Sequence, residues 1–317
     1  MCPPASPTCR PLSSRAAAEA LAGGCRVLVG ASSWSARSLV EEGRFYPART
    51  MRAAERLAYY AGRLPLAEAV ATYRFPPTPE LSRRWAEAAP RGFTLDLRAW
   101  SLLSGAPTWP ESLWPDLQGQ VRPSRREGAK LYRDRLPPEV VDECWARFRH
   151  AISPLVRSGA LGTVIFCYPP WFLPRPEAQK ELCSLAERMA GYKVGVELTG
   201  AAWFEGQACE ETLGLLEELG LALVCRVEPC SAGQGGPVVA ATSGLGLVRF
   251  MPPAGLLPYR FSDRELAAWL PTVRDLASCC DELHLLMDNS WRSDAVDNAE
   301  DLLELLVDRG VGQPTNR

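Results

Sequence analysis

Histidine is nearly missing from this chain: His150 and His284 are the two among its 317 residues. No Cys-x-x-Cys spacing accompanies them, so the donor set of a zinc centre is not at hand. No apolar run approaches the ~20 residues of a membrane-spanning helix, and no membrane contact is expected. Excess charge is lacking too. Lys and Arg number 35 against 37 Asp and Glu, a net charge of −2, and so weak a field recruits neither nucleic acid nor an anionic surface. Phosphate-binding and dinucleotide glycine motifs do not follow any strand-like run, and residues 233–236 read only as a flexible loop. Hence no nucleotide cofactor is expected. A Gly-x-Ser-x-Gly nucleophile elbow is also absent.

Cysteine, by contrast, is plentiful. The eleven cysteines are odd in number and scattered, which does not suit a disulfide framework. Cys25, Cys167 and Cys225 fall in apolar runs, where a free thiol packs as a small hydrophobe, and the adjacent Cys279 and Cys280 at a helix end read as packing rather than redox chemistry. This usage points to a reducing, cytoplasmic setting. The remainder of the composition, 47% hydrophobic and 23% charged, is that of a globular chain with ample core material.

Residues 1–24, rich in Pro, Ser, Ala and Arg, are expected to form a disordered tail. An alternation of strands and helices then begins. Strand-like runs cover 26–30, 66–71, 93–98, 161–167, 193–198, 221–227, 245–250 and 282–287. Helical spacing covers 50–63, with Thr50 as a cap, and 78–89, with Thr78 as cap and Pro79 in the first turn. Further helices are read over 138–157, 176–190, 208–219, 262–278 (capped by Ser262) and 294–308, and a Gly/Ser/Pro loop, 230–244, replaces the sixth helix. Residues 101–137 break the rhythm with prolines, Trp109, Trp114 and a basic patch of Arg122, Arg125, Arg126 and Lys130, and read as an irregular excursion or lid. Eight strand–helix repeats imply parallel strands with right-handed crossovers and suit closure. The expected fold is one α/β domain over 25–310, an eight-stranded parallel TIM-type barrel with a long excursion after strand three, followed by a tail at 311–317.

In such a barrel the site is built where strands end and the following loops begin. Glu197, closing the apolar run Val194-Gly-Val-Glu197, is the clearest marker, because a carboxylate is costly to bury without a partner. Reading the other strand ends adds Ser32, Ser33 and Trp34, then Glu68, Arg98, Trp100, Tyr168, Glu228, Arg249, Asp288 and Asn289. For any single charge a salt bridge explains its position as well as a function does; the concentration of four acids and two arginines on one rim is the stronger signal. Glu197, Glu68 and Asp288 are the candidate acid–base or metal-ligating groups. Arg98 and Arg249 would clamp an anionic group, and Asn289, Glu228, Trp34, Tyr168 and Trp203 would line the ligand. Magnesium or manganese through oxygen ligands remains open as a cofactor, with the metal unidentified. Aromatics near this end, Trp34, Tyr46, Trp100, Tyr168 and Trp171, suit stacking on a sugar or base, and walls of the barrel nearly as well. His284 lies four residues before Asp288 on the same strand face and reads as a satisfied core histidine.

Taken in order, the motifs resemble the YecE-like family, the domain of unknown function 72. The pieces are Gly30-Ala-Ser-Ser-Trp34, Phe45-Tyr-Pro47, Glu55-Arg-Leu-Ala-Tyr-Tyr-Ala61 and Leu97-Arg-Ala-Trp-Ser-Leu-Leu-Ser-Gly105. Leu161-Gly-Thr-Val-Ile-Phe166, Pro169-Pro-Trp-Phe172, Glu197 with Trp203, Val248-Arg-Phe250, Asp288-Asn289 and Asp297-Asn-Ala299 continue the series. The resemblance spans roughly 26–308 and implies a triosephosphate-isomerase-type barrel of unestablished activity, grouped loosely with sugar isomerases. This chain departs from the pattern at several points. Arg98 stands where the family has a lysine, Thr199-Gly200 where it has Arg-His, and Met251 within its Leu-His-Gly; Ala106 replaces a further histidine, and Asp288 the first Asn of Phe-Asn-Asn. Those changes remove proton-transfer capacity.

Two readings follow. One is isomerase-like or hydrolase-like chemistry on a small polar, phosphorylated or sugar-like compound, with Glu197 as base; it requires Glu197 not to be closed into an ion pair. The other is a non-catalytic small-molecule-binding or scaffold barrel. A third, nucleotide or single-stranded nucleic-acid binding through the aromatics and the 122–130 patch, requires a basic surface leading to the rim.

Overall fold

The computed structural model describes residues 24–121, 130–229 and 237–308. From β1 (Arg26–Ala31) the chain runs through α1 (Arg37–Glu42) and α2 (Ala53–Ala61) to β2 (Leu66–Ala69), then α3 (Pro79–Ala88) and β3 (Thr94–Arg98). A short α4 (Pro115–Gln118) precedes α5 (Pro138–Ser158), β4 (Leu161–Cys167), α6 (Pro176–Arg188) and β5 (Val194–Glu197). Next come α7 (Gln207–Glu218), β6 (Ala222–Val227), β7 (Leu245–Phe250), α8 (Asp263–Ala268), α9 (Leu270–Ala277), β8 (Glu282–Met287) and α10 (Asp294–Asp308). All eight strands are parallel and close in sequence order, β8 returning to β1 in a six-residue register from Arg26↔Glu282 to Ala31↔Met287. The chain is an α/β barrel of the TIM type.

Local chemistry sets the element ends. Thr78 caps α3 through Leu81 N–H at 3.1 Å, with Pro79 in the first turn. Ser262 and Glu265 form a reciprocal capping box at α8. The helix expected over 262–278 is two helices, because Pro271 cannot continue the ladder and a new helix starts at Leu270. Arg52, not Thr50, stands at the start of α2. Residues after Trp100 contain a 3-10 turn (Pro110–Ser112), α4 and one antiparallel bridge, Thr108↔Leu131. Trp100 is fully buried there and donates to Ser112 Oγ at 3.2 Å. The basic patch at Arg122, Arg125 and Arg126, and the loop at 233–236, lie outside the described residues.

Strand alternation sorts side chains into two cores. Outward-facing residues such as Val27, Val29 and Phe250 pack under the helices. Inward-facing Leu28, Leu66, Ile165, Val224, Leu247 and Leu286 form an apolar belt inside the barrel. Gly195 fills its slot in that belt with hydrogen, since a Cβ there would stand 2.6 Å from Leu247 Cδ1.

Below the belt is a polar floor. His284 Nδ1 lies 2.9 Å from Asp96 Oδ2 and its Nε2 2.6 Å from Glu282 Oε1, so the ring is buried between two carboxylates, as the core reading expected. Burial alone would lower the imidazole's pKa, yet Asp96 and Glu282 outweigh it and raise it to about 9. Glu282 is in turn held down to about 2, burial being overcome by His284 and Lys193. Strand β4 carries an extra residue against β3 between the pairs Leu95↔Leu161 and Leu97↔Val164. There Thr163 N–H turns to Asp96 Oδ1 at 2.9 Å.

Candidate functional site

Above the belt, the next inward position carries a polar group or a thiol on seven of the eight strands, β1 having Gly30 there. Two residues past Leu66 stands Glu68; past Asp96, Arg98; past Ile165, Cys167; past Gly195, Glu197; past Val224, Arg226; past Leu247, Arg249; and past Leu286, Asp288. The same period-2 pattern that builds the belt therefore delivers the charges to the carboxyl ends of the strands.

Arg249 is the centre. Its side chain is fully buried and its guanidinium reaches acids from three other strands. Nη1 donates to Glu68 Oε2 at 2.7 Å, to Asp288 Oδ2 at 3.1 Å and to Ser32 Oγ at 3.1 Å, while Nη2 donates to Glu68 Oε1 at 3.1 Å. Nε stands 3.0 Å from Glu197 Oε2, an ion pair without hydrogen-bond alignment. Arg98 also reaches Glu68, Nε to Oε1 at 2.9 Å and Nη2 to Oε2 at 3.2 Å. Glu68 is thus clamped bidentately by two guanidiniums, the geometry in which Arg–carboxylate pairs are strongest.

The two contacted carboxylates respond differently. Burial disfavours ionised Glu68, but Arg249 and Arg98 outweigh it and hold its carboxyl well below the ordinary range. Asp288 moves up: burial dominates, the arginines oppose it, and Glu68 and Glu197 add repulsion. Its weaker clamp explains the contrast, since Arg98 Nη2 lies 3.6 Å away and Arg249 supplies a single contact. Burial likewise raises the Cys167 thiol, with Glu197 adding to it, so the sulfur stays protonated 3.6 Å from Glu197 Oε2.

Glu197 itself is 8% exposed and sits between Arg249 and Arg226, whose Nε is 3.7 Å from Oε1. Glu228, expected on this rim, is exposed beyond the end of β6 and outside the cluster. Arg226 takes that strand's place, and the signal for it was a lone charge in an apolar run at the inward position. Asn289 points elsewhere, donating to Tyr259 O and Asn298 Oδ1, both at 2.9 Å, and so ties the end of β8 to α10. Trp34 is buried edge-on against Trp85, and its carbonyl accepts the Tyr46 hydroxyl. Tyr168 stacks on Phe172 at 4.1 Å between centroids, and Phe172 on Trp203, whose indole N–H closes on Phe172 O at 2.7 Å. Of the five aromatics that suited ligand stacking, Trp34, Tyr46, Trp100 and Tyr168 are wall residues, while Trp171 is 60% exposed.

Among the described residues, no group of three or more His, Cys, Asp and Glu side chains is disposed to hold a metal ion. The physical reason at the mouth is that the guanidiniums already occupy the carboxylates and would repel a cation. Surface clefts of about 290 Å³ and 410 Å³ lie on the outside, between α3 and α5 and between α6 and α7.

A closed parallel barrel with this charged mouth defines an α/β-barrel protein of the TIM type, and sequence comparison supplies the family. The family described as "Protein of unknown function DUF72", another name for the YecE-like proteins, matches residues 28–317. The chain belongs to this family. It is 23% identical over 297 residues to the UPF0759 protein YunF of Bacillus subtilis (strain 168), covering 88% of this chain and 94% of that one. Two solved DUF72 structures share its fold at 20% identity. One, from Enterococcus faecalis V583, has a TM-score of 0.67 and covers 88% of this chain and 97% of its own. The other, from Thermotoga maritima MSB8, has a TM-score of 0.65 over 88% and 98%. No helix of the described residues is long and apolar enough to cross a membrane.

Proposed function

We propose that this barrel binds a small polar compound at its mouth without using Glu197 as a base. The observation that carries the reading is the reach of Arg249, which engages Glu68, Glu197 and Asp288 at once and leaves no acid of the cluster free. A base must present its carboxylate to the substrate, and Glu197 is 8% exposed and ion-paired with Arg249 and Arg226. The cluster's accessible edge is instead Arg98 beside Asp288, whose side chains are 18% and 20% exposed. A guanidinium next to a carboxyl suits a ligand that presents an acceptor and a donor together, as a polyol, a sugar phosphate or an amino acid does.

A thermal-shift screen with such compounds, with and without magnesium or manganese, tests it. A ligand of this site raises the midpoint of the wild type and of Glu197→Gln, and fails to do so for Asp288→Asn or Arg98→Met. Stabilisation that vanishes in Glu197→Gln alone contradicts the reading.

One observation favours a second reading, isomerase-like or hydrolase-like turnover. The Asp288 carboxyl is pushed up and partly exposed, so it is the group of the cluster suited to carry a proton. Conversion of a bound sugar or sugar phosphate by the wild type, kept in Glu197→Gln and lost in Asp288→Asn, would support it.

A further inference from the structure

Two thiols from opposite ends of the chain meet at the floor of the barrel. Cys25, immediately before β1, and Cys280, just after α9, have their sulfurs 3.8 Å apart across 255 residues of sequence. The contact flanks the seam where the barrel closes, next to Arg26 N–H donating to Asp281 O at 2.8 Å and the first β1–β8 register pair, Arg26↔Glu282. The Cys280 sulfur is held in place. Cys280 Sγ lies 3.2 Å from Leu276 O, and a Cβ on Gly246 would stand 3.2 Å from that sulfur, so the strand beside it is trimmed to admit it. Cys25 is 4% exposed, whereas Cys280 is half-buried and its neighbour Cys279 exposed.

We propose that Cys25 and Cys280 form a reversible disulfide that locks β1 to β8 when the protein meets a low-molecular-weight disulfide oxidant. The sequence offered the adjacent Cys279 as the partner of Cys280 and gave packing as the reading; the fold supplies a partner from the other terminus. A disulfide needs the sulfurs about 2 Å apart, and the pair already stands in van der Waals contact at 3.8 Å. Polarity of the pair sets the order of events. The contact between the two sulfurs lowers the Cys280 thiol below its ordinary value, while that contact and burial raise Cys25. Cys280 thiolate attacks one sulfur of the oxidant RSSR, forms the mixed disulfide and expels RS⁻. Cys25 then gives up its proton and attacks Cys280 Sγ, expelling the second RS⁻. Two protein thiols are oxidised, and one RSSR is reduced to two thiols. Because the floor and the mouth lie at opposite ends of the strands, the bond leaves the Arg98–Asp288 edge untouched.

Incubation of the full chain with oxidised glutathione, followed by alkylation, proteolysis and fragment mass mapping, tests this. The expected product is a Cys25 peptide linked to Cys280, two mass units lighter than the separate thiols and released by dithiothreitol. Its thermal midpoint should rise by several degrees, since the link closes most of the chain into one loop in the unfolded state. Cys280→Ser should abolish both the link and the rise, and so should Cys25→Ala. Recovery of Cys25 and Cys280 fully alkylated, a link from Cys25 to Cys279 instead, or glutathione retained on Cys280 without Cys25 displacing it would each overturn the proposal. Differential alkylation of the wild type decides the matter even if a variant fails to fold.

Discussion

Arg249 sits at the inward end of an apolar strand with no solvent to share its charge, and its partners decide what the mouth can do. Removing it leaves buried Glu68 to Arg98 alone and Glu197 to Arg226 alone. Arg249→Met is expected to cost about 3–5 kcal/mol in urea unfolding, the range for breaking a buried pair by deleting one partner; a loss under about 1 kcal/mol would show the acids to be solvated. The sequence made Glu68, Arg98, Glu197, Arg249 and Asp288 visible as strand-end charges, because a charge in an apolar run stands out. Pairing was not visible: whether Glu197 faces open space or a guanidinium depends on the barrel's stagger, which no spacing within one strand reports. Glu228 was chosen over Arg226 because the end of β6 was not legible to within two residues: the two share a facing, but the strand ends at Val227 and Glu228 lies beyond it, exposed.

At the scale of elements, the floor of the barrel gives the sharper expectations. His284 is charged in the folded state up to about pH 9 but only to about pH 6.5 when unfolded. Its contribution is therefore complete below pH 6.5 and lost as pH rises through 9, on the order of 3 kcal/mol over that window. Glu282 works in the opposite sense: held at about 2, it stabilises above the ordinary carboxylate range and loses its effect as pH falls toward 2. Chemical denaturation from pH 5 to 10 should show the decline in the wild type and a flatter profile in His284→Gln; equal slopes would contradict the assignment. The β4 bulge makes a second test. Gly162 faces Asp96 so closely that an added Cβ would stand 2.3 Å from Oδ1, beside His284 Cε1 at 3.2 Å. Gly162→Ala is expected to destabilise by about 1–3 kcal/mol, the usual cost of overpacking, and to shift the His284 titration. Alternation located these strands in the sequence. The bulge, and the break between α8 and α9, come from single residues whose neighbours in space are distant in sequence.

For the whole molecule, the interior is layered: a charged mouth, an apolar belt and a charged floor, each formed by successive inward positions of the same strands. Eight strand–helix repeats made the barrel legible from the sequence, and the family match over residues 28–317 agrees. The layering predicts that the two ends are energetically separate. Arg249→Lys and His284→Gln share no partner across the belt, so their effects on unfolding should add within about 0.5 kcal/mol; a larger interaction would show the belt transmitting strain. The contact of Arg249 with Glu197 decides what the mouth can do. Unfolding free energies of the wild type, Glu197→Gln, Arg249→Lys and the double variant complete a cycle for that pair, lysine being unable to offer the Nε donor beside Glu197. A coupling of about 1–3 kcal/mol is the predicted result and places Glu197 in the architecture of the mouth. Additivity within about 0.5 kcal/mol would free Glu197 from Arg249 and return it to the role of a catalytic base.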